Sequence, residues 1–83
     1  MNSINIQIYG MKNCNWCVMA QELAEELWKG DRIDKWSYEL VEDPAQWLTE
    51  RGFAQPWERT MPKIYVNNKL LGGYTELERT FNS

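Results

Sequence analysis

Residues 4–17 read Ile4-Asn5-Ile6-Gln7-Ile8-Tyr9-Gly10-Met11-Lys12-Asn13-Cys14-Asn15-Trp16-Cys17, and the rhythm of the chain changes inside them. Up to Tyr9 a β-branched residue stands at every second position, the signature of a strand with one buried face. Gly10 breaks that alternation. From Cys14 to about Lys29 the period becomes helical. Cys17, Ala20, Leu23, Ala24, Leu27 and Trp28 fall on one stripe, and Gln21, Glu22, Glu25 and Glu26 on the other side. Gly30-Asp31 supplies the stop. The first cysteine therefore sits where a strand–loop unit turns into a helix.

Outward from this unit the elements alternate. Residues 36–41, Trp-Ser-Tyr-Glu-Leu-Val, predict a second strand. Asp43-Pro44 predicts an N-cap followed by proline at the first helical position, with Trp47, Leu48 and Arg51 on a short helix that ends before Gly52. Residues 53–60 read as a loop carrying Pro56 and Trp57. Two short apolar runs, Lys63-Ile64-Tyr65-Val66 and Lys69-Leu70-Leu71, flank Asn67-Asn68. Asparagine tolerates positive φ, so this predicts a tight hairpin. After Gly72-Gly73, the segment Thr75-Glu76-Leu77-Glu78 fits a capping box and opens a last helix with Leu77 and Phe81 on one face. The order is β-α-β-α-β-β-α, an α/β fold. The first two strands, joined through a helix, form a parallel pair; the last two form an antiparallel hairpin. A four-stranded mixed sheet with about three flanking helices results.

Composition bounds the function. The 83 residues make one domain, 1–83, with no linker, repeat or low-complexity tract. A domain this short buries only roughly 60% of its unfolded surface, so its five Trp, four Tyr and two Phe matter to the core. With no histidine, histidine-based acid–base catalysis and His-containing metal sites are excluded. A net charge of −3 without a basic run argues against nucleic acid. No stretch reaches the length of a membrane span, and the first residues lack the charged and apolar regions of a signal peptide. Two cysteines are too few for a disulfide-stapled secreted scaffold, so a cytoplasmic location is expected.

Cys14-Asn15-Trp16-Cys17 is a C-x-x-C pair beside a βαβ pattern, a redox signal with a mechanism. Residues three apart on a helix share a face, so the sulfurs meet. The first cysteine lies against the open N–H groups of the helix N-terminus, which favour a thiolate. Thiols in such settings titrate at roughly 3.5–7.5, against about 8.5 for an ordinary cysteine. Lys12 adds positive charge nearby. Cys17, one turn in, faces the apolar stripe. Cys14 thiolate attacks a disulfide and forms a mixed disulfide; Cys17 then attacks Cys14 and releases the reduced substrate. The competing readings are poorer. A zinc site needs two more ligands, and neither a third cysteine nor a histidine exists. A structural disulfide within one helical turn constrains almost nothing. Two core cysteines that happen to fall three apart remain an alternative on the motif alone.

At these residues the chain resembles the glutaredoxin family, specifically small dithiol members of bacterial or bacteriophage type. The likeness spans nearly the whole chain: Tyr9-Gly10 leading into Cys14-Asn15-Trp16-Cys17; Val18 to Leu27 as first helix; Arg59-Thr60-Met61-Pro62-Lys63-Ile64-Tyr65-Val66; and Gly72-Gly73-Tyr74-Thr75-Glu76-Leu77. The resemblance implies a thioredoxin fold and glutathione as reductant. It makes Cys14 the nucleophile, Cys17 the resolving cysteine and Pro62 a cis proline; read alone, Pro62 is a strand-start proline. A cis bond would turn the Met61 backbone toward an extended peptide or the cysteinyl part of glutathione. The resemblance places the γ-glutamyl end at Gly73, Tyr74, Thr75 and Glu76, where helix N–H groups suit a carboxylate. Glu76 stands where Asp is usual in the family. Arg59 and Lys12 are the cations for glutathione's carboxylates, Lys12 displaced by one position from the family's pattern. Asn15-Trp16 replaces the commoner Pro-Tyr, and Trp16 keeps an aromatic surface beside the nucleophile. Trp57 extends that rim or belongs to the core.

The function implied is reduction of protein disulfides and glutathionylated thiols by a monomer that binds no metal, with ribonucleotide reductase a candidate electron acceptor. The alternatives are a dimer holding a [2Fe–2S] cluster through Cys14 and two glutathiones, and a glutaredoxin-like reductase served by thioredoxin reductase.

Overall fold

A computed structural model describes residues 3–82. The elements follow the expected order: β1 (Asn5–Gly10), α1 (Asn15–Lys29), β2 (Lys35–Leu40), α2 (Pro44–Glu50), β3 (Lys63–Val66), β4 (Lys69–Gly72) and α3 (Tyr74–Asn82). The sheet order is β2-β1-β3-β4. β1 runs parallel to β2 and antiparallel to β3, and β3–β4 is antiparallel. This is the thioredoxin-type arrangement that the family resemblance implies.

Alternation along β1 decides what packs where. Ile6 and Ile8 are buried on one face, where Ala20, Leu23, Ala24 and Leu27 of α1 and Leu77 and Phe81 of α3 close over them. Cross-strand pairing puts Ile64 beside Ile8 and on the same face. Tyr9 and Tyr65 lie on the other face, where Tyr9 meets Trp47 of α2 at 5.0 Å between ring centroids. Helices thus cover both sides of the sheet.

Local chemistry explains the boundaries. The Asp43 carboxylate accepts the Gln46 N–H at 3.1 Å and caps α2, with Pro44 at its first position. Asn67 and Asn68 both take positive φ, 51° and 69°, as a two-residue hairpin with matching twist requires.

Several expectations move. β2 starts one residue early, and Val41 lies just beyond it, buried, its N–H bonded to the Gly10 carbonyl at 2.7 Å. Trp28 is 48% exposed rather than part of the stripe. It sits in the last turn of α1, and Ile33 from the following loop fills that end of the core instead. The α1 stop at Gly30-Asp31 holds, with Gly30 as C-cap and Asp31 left-handed at φ 59°. The loop 53–60 holds a single 3₁₀ turn, Pro56–Glu58, fastened by Gln55 N–H to Glu58. The expected capping box Thr75–Glu78 is not formed; the α3 cap lies two residues earlier and is half of a box. Glu76 Oε1 accepts the Gly73 N–H at 2.7 Å, and the Gly73 carbonyl accepts from Leu77.

Candidate active site

β1 ends at Gly10, where a side chain would collide with the phenol of Tyr38 packed against it. A three-residue loop follows, and Asn13 at φ 56° turns the chain toward α1. Cys14 is the N-cap of α1, in extended conformation. Its Sγ accepts the Cys17 N–H at 3.2 Å, the contact a serine or aspartate makes at other caps. Its carbonyl accepts from Cys17 and Val18. Cys14 and Cys17 are joined as a disulfide, with Cα atoms 5.2 Å apart. Cys14 is partly exposed, while Cys17 is 1% exposed beneath it. The pair is therefore asymmetric: one sulfur meets solvent and helix N–H groups, the other meets the core.

The Met61–Pro62 bond is cis. The Met61 carbonyl oxygen lies 3.8 Å from Cys14 Sγ; a disulfide sulfur has no hydrogen to donate, so this is a close approach. The segment before β3 thereby reaches the sulfur pair.

A groove of about 800 Å³ runs along this segment. Trp16, Arg59, Thr60, Met61, Pro62, Gly73, Tyr74, Thr75 and Glu76 all line it, so nine positions chosen from the sequence come together. Trp16 is 55% exposed and stands 5.6 Å from the Tyr74 ring across the groove's end. Trp57 is 75% exposed, which settles its alternative in favour of the rim. Gly72, at φ 138°, passes so close to the Glu76 side chain that no β-carbon fits between.

Three charged positions behave differently from one another. Lys12 is exposed and lies outside the groove lining. Arg59 lines the groove, but its guanidinium donates to the carbonyls of Phe53 at 2.7 Å and Ala45 at 3.0 Å, bracing the loop. Glu76 turns back to cap its own helix.

Lys63 was not among the expected site residues. In the sequence it figures only as the first residue of the Lys63–Val66 strand run. It is 6% exposed and lines the groove. Burial pushes its pKa down, against the smaller opposing pull of the Glu58 and Glu76 carboxylates. Only its place after Pro62 hinted at the site. Burial and then the Glu78, Glu26 and Glu22 carboxylates raise the pKa of Tyr74. Among the described residues, no group of three or more His, Cys, Asp or Glu is placed to hold a metal ion, and no helix is long and apolar enough to cross a membrane.

No family model matches the chain. Curated relatives do. Glutaredoxin 1 of Salmonella typhimurium is 37% identical over 75 residues, covering 86% of this chain and 83% of its own. Glutaredoxin 1 of Escherichia coli is 36% identical over 73 residues, with coverage of 83% and 82%. The structure of reduced Escherichia coli glutaredoxin superposes with a TM-score of 0.65 at 29% identity, covering 94% of this chain and 93% of that one. The likeness runs the length of the fold, and with it the paired sulfurs at the head of α1 acquire a meaning: the chain belongs to the glutaredoxin family and is a dithiol–disulfide oxidoreductase.

Proposed function

We propose that this protein reduces protein disulfides and glutathionylated thiols at the expense of glutathione, with Cys14 as nucleophile and Cys17 as resolving thiol. The observation that carries the reading is the cap geometry: Cys14 Sγ receives the Cys17 N–H at the head of α1, beside a groove. That N–H and the helix dipole favour an ionised sulfur.

In the monothiol cycle, Cys14 thiolate attacks the substrate-side glutathionyl sulfur. A Cys14–glutathione bond forms and the protein thiolate leaves. A second glutathione thiolate attacks the glutathionyl sulfur, giving oxidised glutathione and Cys14 thiolate. In the dithiol cycle, Cys14 attacks a protein disulfide, and Cys17 displaces the substrate as its second thiol. The resulting Cys14–Cys17 disulfide is reduced by two glutathiones. The roles of the groove follow the ligand. Thr60, Met61 and Pro62 present backbone to the cysteinyl part. Gly73, Tyr74, Thr75 and Glu76 open α3 toward the γ-glutamyl end. Trp16 flanks the sulfur, Arg59 braces the loop of the groove with its charge still beside it, and Lys12 adds positive charge from outside the lining. Ribonucleotide reductase belongs among the substrates to be tried, and we place the protein in the cytoplasm as a monomer.

The test is turnover of hydroxyethyl disulfide by the reduced protein. Glutathione with glutathione reductase should sustain it, and thioredoxin reductase without glutathione should not. Turnover with thioredoxin reductase alone would overturn the glutathione reading.

A further inference from the structure

Lysine is almost never fully buried without a partner, because desolvating an ammonium is costly. Lys63 is 6% exposed. Yet among the described residues the one ion pair within 4.0 Å joins Lys29 to Glu25, far along α1. An ammonium has three hydrogens to donate. Lys63 Nζ has one long contact, to Thr60 Oγ1 at 3.4 Å, and lies 4.9 Å from the centre of the Phe53 ring. Glu58 and Glu76 act on it only through space. The other cation of the groove, Arg59, has given its guanidinium to two backbone carbonyls. The groove therefore holds one under-coordinated buried cation, two residues along the chain from the carbonyl that approaches Cys14 Sγ.

We propose that Lys63 is the ligand-facing cation of this groove and takes a carboxylate of the molecule whose sulfur engages Cys14. A carboxylate supplies the acceptors that Lys63 lacks and exchanges a costly isolated charge for a charge-assisted pair. Two sources share this chemistry: the glycyl carboxylate of glutathione, which rests on the function proposed above, and an acidic group beside the reacting sulfur of another disulfide. The bland alternative is a packing role, with the lysine stem covering Phe53.

The experiment compares ratios, which do not depend on how much protein is folded. In the first arm, kcat/KM is measured for glutathione and for its glycyl ethyl ester. Wild type should prefer the acid by about tenfold, the size of one charge-assisted hydrogen bond. Lys63→Gln should bring the ratio close to one, and Lys63→Arg should keep most of it. The second arm contains no glutathione. Fully reduced protein is mixed in a single turnover with dithiodipropionate or with the neutral hydroxyethyl disulfide, and Lys63→Gln should abolish the preference for the anion. If glutathione fails as reductant in wild type, the function proposed above falls, and the second arm alone decides the inference. If Lys63→Gln slows acid and ester equally, or leaves both ratios at their wild-type values, Lys63 is a packing residue and the inference is wrong.

Discussion

The molecule has two cores, and they are built to different standards. Under α1 and α3 the core is mostly aliphatic: Ile6, Ile8, Leu23, Leu27, Ile64 and Leu77 meet, with Phe81 beside them and Trp36, Tyr38 and Tyr74 at the edge. Around the sulfur pair the core is Cys17, Val41, Trp47, Leu48, Phe53 and Met61, with Tyr9 and Tyr65 at its edge. Here polar atoms are trapped. Among the described residues Trp47 Nε1 is buried without a hydrogen-bond partner and Lys63 is sunk beside Phe53, while the exposed Arg51 covers the Trp47 ring, 3.9 Å from its centroid. Buried unpaired polar groups reduce stability, and functional sites are where proteins retain them. The first core holds the fold; the second gives up packing quality to keep a reactive sulfur, a groove and exposed rings in one place.

The sharpest break between the two comes from single substitutions read in both activity and stability. Cys14→Ser should abolish turnover of both glutathionylated and disulfide substrates, a loss of at least about a thousandfold, since no other nucleophile is activated in this way. Cys17→Ser should keep reduction of glutathionylated substrates and lose dithiol-dependent reduction. Equal behaviour of the two variants in a glutathione-coupled assay would refute the division of labour. Leu77→Ala, at a position with 0% exposure in the aliphatic core, should cost about 2–5 kcal/mol by denaturant titration. The surviving folded protein should keep its Cys14 chemistry. A stable Leu77→Ala protein with inactive sulfurs would show that the cores are not separate.

How far the sequence discloses this division depends on range. Period and punctuation are local, so β1, the stripe of α1 and the Asn67-Asn68 turn are readable residue by residue. The sulfur pair is equally local, since three positions on a helix bring Cys14 and Cys17 together. Burial at element ends is not local. Trp28 fits the stripe by angle but hangs past it, because Ile33 reaches back from a loop. The α3 cap is misplaced by two residues because the Glu76 carboxylate reaches back to the Gly73 N–H, half of a capping box that needs no side chain at the cap position. From sequence Arg59 reads as a cation for a ligand carboxylate, while Lys63 carries no role beyond its place in the strand. Which one is spent on carbonyls and which is buried unpaired depends on Phe53 and Ala45, contacts that no pattern within residues 59–63 reveals.

A smaller effect sharpens the contrast. Trp47→Phe removes the unpartnered N–H along with some ring volume, and these changes oppose one another. The expected cost is below about 1.5 kcal/mol, less than Leu77→Ala, measured by the same titration. A cost of Leu77→Ala size would mean that the indole nitrogen is satisfied in solution.

The smallest expected effect, and the most specific to the second core, is a pH dependence. The folded pKa of Lys63 lies below its ordinary 10.5, chiefly because burial disfavours the charge, with Glu58 and Glu76 opposing. Between the two values the unfolded chain still holds a proton that the folded chain has released. Raising the pH through that window therefore favours folding, and the burden of the buried charge is gone once both forms are neutral. Tyr38, Tyr65 and Tyr74 act oppositely: burial raises each above 10.0, so stability falls as the unfolded chain ionises first. Their contribution is shared by wild type and Lys63→Met, and the difference between the two proteins isolates the lysine. With the disulfide intact, neither cysteine titrates. Wild type should gain on Lys63→Met as the pH rises toward 10.5 in equilibrium unfolding. Parallel curves would mean that Lys63 keeps its full hydration in the folded protein, and the boundary drawn between the two cores would lose its clearest electrostatic mark.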